Sequence, residues 1–504
     1  MTNNKQIEKL SSAWQGLIPK PVSLEKMDGC FCINQETKIV IASAEEEILK
    51  IGQYLANLLK PATGFPLEIT KSTNSVAQNI ISLSIKHDPS LKEEGYELVI
   101  STESINLSAN KGHGLFNGIQ TLRQLLPITI ESNVKQDGPW ELDALIVKDY
   151  PRFSWRGAMI DVARSFFTVE EVKRFIDLFA LHKINRLHLH LSDDQGWRIE
   201  IKSWPELTSH GGKCAVEGGS SGYYTQDQYK EIVRYAHERF MLVIPEIDVP
   251  GHTNAALSSY AELNSDGIAP PYFRGMKVGF STLDTDKDIT YEFLTDVFTE
   301  IASITPGPYL HVGGDEALST TEEEYSHFLS RLETIIASLG KTMIGWGEVG
   351  HYENLNSSAI IQLWQSPAKK DHEFALKHGI KTIMSPAHKI YVDMKYDEST
   401  HVGQDWAGYV SVETAYNWDP TSVYEGFNEE DILGIEAPLW TETIHNTVDA
   451  DYMYFPRICG AAEIGWSPKD NRSWEEYCLR LARLGKRLEQ LGVNFHRSPL
   501  IPWK

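Results

Sequence analysis

Apolar and polar residues alternate with two different rhythms in the two parts of the chain. Between residue 18 and about residue 150, short apolar runs mix with two amphipathic stretches, which predicts a small α+β domain. Two helices are predicted at 45–59 and 115–126, the second ended by Pro127. Strands are predicted at 37–41, 80–85, 96–100, 105–107 and 142–147. No pattern in this part indicates chemistry, so we expect residues 1–150 to form an accessory, structural domain.

After residue 150 the pattern changes to short apolar strands that alternate with amphipathic helices, which is typical of parallel β/α units. Helices at 168–183 and 225–240 begin with the capping boxes Thr168-x-x-Glu171 and Thr225-x-x-Gln228, and the last helices run over 452–491. Eight strands are predicted to begin near Gly157, Asn185, Leu242, Tyr309, Thr342, Ala359, Thr382 and Leu433. The predicted fold class is therefore α/β, with a (β/α)8 TIM barrel over 151–504 that follows the smaller α+β domain.

Composition and charge exclude several classes of function. The chain has 504 residues and a formal net charge of −22, so it lacks the basic surface that binds nucleic acid or anionic membranes. No run is long and apolar enough for membrane insertion, and the first eight residues lack the apolar segment of a signal peptide. We therefore expect a cytoplasmic location, or an extracellular one if the N-terminus was trimmed. The five cysteines form no CxxC pair and are interpreted as reduced thiols.

The segment from His311 to Glu316 is the strongest indication of chemistry. An apolar strand ends there in two glycines and then two adjacent carboxylates, Asp315 and Glu316. Glycines let the backbone turn sharply and approach a ligand closely. Two carboxyls held with different exposure can differ in protonation near neutral pH, as acid/base work on a glycosidic bond requires. Adjacent acids also occur in solvated loops. The residues at the other strand ends are therefore needed to choose between a catalytic pair and a solvated loop.

In a (β/α)8 barrel the active site lies at the C-terminal ends of the strands. Each residue that follows a predicted strand has a structural explanation when it is taken alone. Arg164 could form an ion pair, Asp193 could cap a turn, and a tryptophan could fill the core. Together they favour an enzyme that acts on a polar, ring-shaped substrate. The residues that follow the predicted strands are Asp161 and Arg164, Asp193 and Asp194, Glu246 to His252, Asp315 and Glu316, Trp346, Trp364, Tyr391 and Asp393, and Trp440 and Glu442.

The ordered motifs at these positions resemble those of the family 20 glycoside hydrolases, the β-N-acetylhexosaminidases. The resemblance spans the chain from about residue 18 onward. Gly347 differs from the larger side chain expected there, and the segment 319–340 is short for the family. The matching motifs are Asp161-x-x-Arg164, His188-x-His190-x-x-Asp193-Asp194-Gln195-Gly196-Trp197, Pro245-Glu246-Ile247-Asp248-x-Pro250-Gly251-His252, His311-x-Gly313-Gly314-Asp315-Glu316 and Glu436-x-Pro438-x-Trp440-x-Glu442.

The resemblance implies an exo-acting, retaining enzyme that releases terminal β-linked N-acetylglucosamine or N-acetylgalactosamine from glycans or glycoconjugates. Catalysis is then substrate-assisted and passes through an oxazolinium intermediate, with no metal and no cofactor. Glu316 is expected to be the general acid and base, and Asp315 to orient the acetamido N–H. Tyr391 is expected to donate to the acetamido oxygen, while Asp193 and His252 form a relay to Glu316.

The same resemblance implies the residues that bind the substrate. Arg164, Asp393 and Glu442 are expected to hold the sugar hydroxyls. Four tryptophans are expected to line the site: Trp346, Trp364 and Trp440 as walls of the acetamido pocket, and Trp406 as a platform for the next sugar. The expected partner is thus a carbohydrate.

Two other classes of function remain open at the level of the sequence. His188 and His190, with His252, His311 and Asp315, resemble the ligand spacing of metal-dependent barrel hydrolases. However, the first two lie inside the predicted second strand, which favours core histidines. A sugar-binding protein that lost catalysis is the other alternative, and the presence of Glu316, Asp315 and Tyr391 speaks against it.

Overall fold

The computed structural model describes residues 16–42, 45–71, 78–365 and 369–503. They form two compact units. One contains residues up to Arg152, Ala180–Lys183 and the C-terminal segment from Ala462; the other contains Phe153–Phe179 and Ile184–Ala461. The first eight residues, on which the expected cytoplasmic location rests, lie outside the described residues. Within these ranges, no helix has the length and apolar character needed to span a bilayer.

The first unit contains a seven-stranded sheet and the helices Glu46–Thr63 and Gly112–Leu125, which pack against it. The sequence pattern missed two strands, Ser23–Ile33 and Ile69–Lys71. Most side chains of Ser23–Ile33 are exposed, so it lacks apolar alternation, and the other has only 3 residues. The spatial order of the strands is Ser23–Ile33, Trp140–Asp149, Tyr96–Ile100, Ser104–Ala109, Ile80–Ile85, Lys38–Ile41 and Ile69–Lys71.

A buried charge cluster joins the separate chain segments of this unit. Asp149 accepts hydrogen bonds from Tyr96 Oη at 2.7 Å and from Trp466 Nε1 at 2.8 Å, and pairs with Lys183 Nζ at 2.9 Å. Residues from 462 onward, including the helix Trp474–Gln490, therefore pack in this unit, whereas the sequence pattern assigned them to the barrel. The domain boundary at residue 150 stays a prediction.

The second unit contains a closed barrel of eight strands, and every neighbouring pair is parallel. Each strand begins within about two residues of its predicted start, because buried parallel strands are short, nearly continuous apolar runs. The prediction of a TIM barrel after a smaller α+β domain is confirmed. Barrel strands one to eight are Trp155–Asp161, Arg186–His190, Leu242–Glu246, Tyr309–His311, Thr342–Trp346, Ile360–Leu363, Lys381–Met384 and Ile432–Leu439.

Helices follow most of these strands. Both predicted capping boxes are present: Thr225 pairs with Gln228, and Thr168 with Glu171. In the part of the chain described, strand five leads only to the 3₁₀ helix Gly347–His351, so the fifth β/α unit lacks its α-helix. The longer helices are Val169–Leu181, Gln226–His237, Asp288–Ile304, Glu322–Ser338, Lys369–His378, Thr447–Tyr454 and Arg457–Trp466, and the shorter ones are Glu206–Ser209, Asn254–Ser259, Ala387–Ile390 and Val412–Tyr416.

Candidate active site

The strand exits surround a cavity of about 210 Å³. Its walls include nine of the twelve residues predicted for the site. The other three, Asp193, Trp346 and Asp393, are each about 1% exposed and lie behind the cavity wall. The lining residues are Arg164, His252, Met276, Val278, Asp315, Glu316, Trp364, Tyr391, Gln404, Trp406, Trp440 and Glu442.

The turn after strand four places the two adjacent carboxylates. Gly313 and Gly314 both adopt positive φ, +65° and +93°, and a Cβ at Gly313 would lie 1.9 Å from Asp248 Oδ1. Gly314 N donates to that same oxygen at 3.1 Å, and Tyr325 Oη donates to the Gly314 carbonyl at 2.6 Å. Only glycine fits this turn, since any side chain would displace the Asp248 carboxyl. Glu316 follows at φ +47°, a strained conformation that such local constraints hold in place.

The two carboxyls differ in exposure. Asp315 is buried, and burial together with the neighbouring Glu316 raises its pKa to about 6, although His252 opposes the shift. One of its oxygens, Oδ1, has no hydrogen-bond partner among the described residues. The side chain of Glu316 is 30% exposed and faces the cavity. This arrangement leaves one buried acceptor and one accessible acid side by side.

His252 connects this pair to Asp193. Its Nδ1 lies 3.2 Å from Asp193 Oδ1, and its Nε2 lies 3.3 Å from Glu316 Oε2 and 3.7 Å from Asp315 Oδ2. Burial disfavours the imidazolium, but Asp193 and Asp248 outweigh it and raise the pKa of His252 well above its ordinary value. Asp193, His252 and Glu316 thus lie in contact one after another, and their role as a relay stays a prediction.

Arg164 is a cation that lines the cavity, and it is held by carboxylates. Its guanidinium pairs with Asp193 at 2.6 Å and with Asp161 at 3.4 Å, and it stacks on the Trp440 ring at 4.9 Å. Two further carboxyls lie here with unfilled hydrogen-bonding capacity: both oxygens of Asp393 and Oε2 of Glu442 lack partners in the described part of the chain. Burial raises the pKa of both, although Arg164 opposes the shift at Glu442. Buried carboxyls of this kind are ready to bond to hydroxyl groups of a ligand.

Aromatic rings form the remaining walls. Trp346 packs against Trp440 at 5.7 Å between ring centroids, and Trp364 lies nearly parallel to Tyr391, with centroids 6.2 Å apart and planes 11° apart. Trp406 meets Trp364 edge-on at 5.9 Å and is 54% exposed at the mouth of the cavity. Flat apolar walls and an exposed ring at the entrance suit a ligand with sugar faces.

Sequence reasoning did not assign several residues that shape this site. Glu246 and Asp248 belong to the motif after strand three, and both are fully buried. Glu348 accepts hydrogen bonds from Trp364 Nε1 at 3.0 Å and from Gln365 Nε2 at 2.8 Å, and burial, with a smaller contribution from Asp315, raises its pKa to about 8. A charged residue at an inward position of a barrel strand was the signal that could have identified Glu246.

The unexpected Gly347 also has a physical explanation. A Cβ at this position would lie 2.4 Å from Asp371 Oδ2, and Asp371 is held by His351 Nε2 at 2.7 Å. The carboxyl of Asp371 thus occupies the space that a larger side chain would need.

The histidines that suggested a metal site are engaged by carboxylates. His188 lies between Glu436, at 2.7 Å, and Glu246, at 2.9 Å. His190 contacts Glu246 through Nδ1 and Asp193 through Nε2, the latter at 2.8 Å, so both ring nitrogens are in use. Both residues lie inside strand two, which favours their interpretation as core histidines.

A (β/α)8 barrel whose strand exits carry an adjacent acid pair and an aromatic-walled pocket is the architecture of a glycoside hydrolase. Residues 153–469 match the family model "Glycosyl hydrolase family 20, catalytic domain", and residues 15–150 match "Glycosyl hydrolase family 20, domain 2". The chain belongs to glycosyl hydrolase family 20. The predictions of the family and of the enzyme class are confirmed.

Relatives and solved structures agree with this assignment. The chain is 37% identical over 488 residues to a beta-N-acetylhexosaminidase of Cellulomonas fimi, covering 97% of each protein. The structure of the GH20 beta-N-acetylhexosaminidase of Streptomyces coelicolor A3(2) is similar with a TM-score of 0.94 and 46% identity, over 97% of this chain and 99% of that one. A mutant beta-hexosaminidase of Streptomyces plicatus, in complex with the product GlcNAc, has a TM-score of 0.93 and 46% identity, over 97% of this chain and 98% of that one.

Proposed function

We propose that the protein is an exo-acting, retaining β-N-acetylhexosaminidase that releases terminal β-linked N-acetylglucosamine or N-acetylgalactosamine from glycans or glycoconjugates. The observation that carries the proposal is the pairing of a buried Asp315 with a partly exposed Glu316 in a small aromatic-walled cavity. The GlcNAc product complex of the Streptomyces plicatus relative supports the class of substrate.

The proposed reaction uses the acetamido group of the substrate as its nucleophile. Glu316 protonates the glycosidic oxygen while the acetamido oxygen forms a bond to C1, so the bond from C1 to the leaving oxygen breaks and an oxazolinium ion results. The Glu316 carboxylate then takes a proton from water, whose oxygen attacks C1 and opens the ring. Two displacements at C1 retain its configuration, and Glu316 ends protonated again, now with a proton that came from water.

Asp315 and Tyr391 act on the acetamido group in this scheme. The Asp315 carboxylate accepts a hydrogen bond from the acetamido N–H and balances the positive charge of the oxazolinium ion. The Tyr391 hydroxyl donates to the acetamido oxygen. Partners that are already in place where charge develops stabilise the transition state without reorganisation. Asp193 and His252 influence the protonation of Glu316 through the contacts described above.

The remaining residues of the site hold the sugar. Arg164, Asp393 and Glu442 bind hydroxyl groups, for which the unpartnered carboxyl oxygens are available. Trp364 and Trp440 wall the acetamido pocket, and Trp346 supports Trp440 from behind the wall. Exposed Trp406 stacks on the next sugar. A cavity of about 210 Å³ accepts a single terminal ring rather than a run of sugars, which is the physical basis of exo action.

Paired chromogenic substrates test the function directly. The aryl β-N-acetylglucosaminide should be hydrolysed, whereas the matching β-glucoside, which has a hydroxyl in place of the acetamido group, should react at least about a thousandfold more slowly because it lacks the nucleophile. Equal rates would contradict substrate assistance. Binding of N-acetylglucosamine without hydrolysis of either substrate would favour the sugar-binding alternative.

We expect both 2-acetamido epimers to be hydrolysed. We assign Arg164 and Glu442 to hydroxyl 4 of the sugar, and their long side chains reach that hydroxyl in either an axial or an equatorial position. The measurement is kcat/KM for the aryl N-acetylglucosaminide and N-acetylgalactosaminide. A preference above about a thousandfold, roughly 4 kcal/mol of transition-state discrimination, would reject the shared pocket.

The acid limb of the pH profile should report Asp315. Its pKa is raised to about 6, and the reaction needs the carboxylate, so kcat/KM should rise as the pH increases through about 6. The cationic His252 lowers the pKa of Asp315, so His252→Ala should move this limb to higher pH. If the acid limb of His252→Ala stays at the wild-type pH, His252 does not influence the pKa of Asp315.

A further inference from the structure

A single buried carboxylate contacts both Trp346, which lies behind the aromatic wall, and His190, which contacts the first residue of the relay to Glu316. Glu246, the last residue of strand three, is fully buried inside the barrel. Its Oε1 accepts a hydrogen bond from Trp346 Nε1 at 2.8 Å. Its Oε2 meets His190 Nδ1, and His190 Nε2 lies 2.8 Å from Asp193, the start of the relay to His252 and Glu316. One oxygen therefore holds Trp346, behind the acetamido pocket, and the other holds the relay from His190 to Glu316. The carboxylate has two more neighbours, His311 Nδ1 at 3.1 Å from Oε1 and His188 Nε2 at 2.9 Å from Oε2.

We propose that Glu246 is a positioning residue that fixes the acetamido wall and the acid relay relative to each other. This inference rests on the proposed function, since both branches matter only for a substrate with an acetamido group and a leaving group that needs protonation. Glu246, Trp346 and His190 do not line the cavity, so Glu246 acts on it indirectly. Trp346 packs against Trp440, and His190 contacts Asp193, which contacts His252; Trp440 and His252 do line the cavity.

The charge of Glu246 is essential to this role. His190 lies between two carboxylates and can donate from both ring nitrogens only as the imidazolium. Burial opposes that form, but Glu246 is the largest favourable influence and the pKa of His190 is raised well above its ordinary value. The titratable groups that face this pair are His188, His311, Asp161, Asp193, Asp248 and Asp315.

Glu246→Gln should break one branch, because the amide offers one acceptor oxygen and one donor group, whereas Trp346 and His190 both donate to the carboxylate. Without the Glu246 carboxylate, His190 loses its extra proton and its positive charge. It then attracts the Asp193 carboxylate less strongly. Asp193 then interacts more strongly with His252, the residue that contacts Glu316. We expect kcat/KM for an aryl N-acetylglucosaminide to fall about a hundredfold, and the basic limb to move to lower pH by about half a unit or more.

Glu436→Gln is the matched control. Glu436 is equally buried in the same barrel, and its oxygens accept from Trp155 Nε1 at 3.0 Å and from Gln362 Nε2 at 2.9 Å, while His188 lies at 2.7 Å. The chemical change is the same, but among the described residues the side chains of Trp155 and Gln362 make no hydrogen bond to Asp193 or to the Trp346 indole. His188 is the one shared neighbour, since its Nε2 lies 2.9 Å from Glu246. Glu436→Gln should therefore lower kcat/KM less than about threefold and leave the basic limb in place.

Two single-branch variants complete the test and remain informative if Glu246→Gln does not fold. Trp346→Phe removes the indole donor together with one ring of the side chain, and it should raise KM without moving the basic limb. His190→Gln should move the basic limb and lower kcat. Double-mutant cycles combine Glu246→Gln with each of these variants. If Glu246→Gln breaks the hydrogen bond to Trp346, its effect on kcat/KM should be non-additive with that of Trp346→Phe; if it breaks the contact with His190, the effect should be non-additive with that of His190→Gln.

The outcomes separate this inference from the proposed function. A wild-type enzyme that does not hydrolyse the acetamido substrate contradicts the function itself. Two results with an active wild-type enzyme would contradict the positioning role. In one, Glu436→Gln lowers kcat/KM as much as Glu246→Gln does, which would indicate general damage to the core. In the other, the basic limb of the pH profile of Glu246→Gln does not move. If Trp346→Phe and His190→Gln change the same kinetic parameters, the two branches do not exist as separate paths.

Discussion

Glu316→Gln is expected to lower the rate of glycosidic cleavage by about 10² to 10⁴-fold for substrates with poor leaving groups, because the amide has no proton to donate. The loss should shrink as the leaving group becomes more acidic. A very good leaving group departs as the anion and needs little protonation, so its cleavage step should recover much of the lost rate. The measurement is pre-steady-state cleavage of aryl N-acetylglucosaminides that span a range of leaving-group acidity.

The wild-type enzyme measured on the same series is the control. Its cleavage rate should depend only weakly on leaving-group acidity, because Glu316 supplies the proton in every case. If Glu316→Gln lowered the rate by the same factor for all leaving groups, the glutamate would not be the acid.

Asp315→Asn is expected to lose about 3 kcal/mol or more of transition-state stabilisation, or at least about a hundredfold in rate, whatever the leaving group. The amide neither balances the oxazolinium charge nor reliably accepts the acetamido N–H. The acid remains intact in this variant, so better leaving groups should not restore the rate. The same aryl series provides the measurement.

The comparison of the two variants is decisive because the residues are neighbours in sequence and share one turn. General damage to that turn would affect both variants alike. Should Asp315→Asn recover with good leaving groups while Glu316→Gln does not, the two roles would be reversed.

The sequence predicted the barrel and the set of residues at its rim because both depend on local patterns. Buried parallel strands are apolar runs bounded by amphipathic helices, and parallel topology brings all their C-terminal ends to one face. Asp315, Trp346 and Tyr391 could thus be grouped without any knowledge of distances. The strand Ser23–Ile33 was missed for the opposite reason, since its exposed residues carry no apolar pattern.

Local patterns along the chain are therefore enough to predict the order of strands, the face on which the site lies and the types of residue that meet there. The folded structure is needed to tell which of these residues line the cavity, which lie behind it, and which buried groups hold them. Asp193 and Trp346 contribute from behind the wall, and Glu246 connects them inside the barrel. The pKa of Asp315 likewise follows from burial and from charges that different strand ends bring together. Burial, hydrogen-bond partners and Coulomb interactions depend on distances between residues far apart in the chain, and no local pattern encodes them.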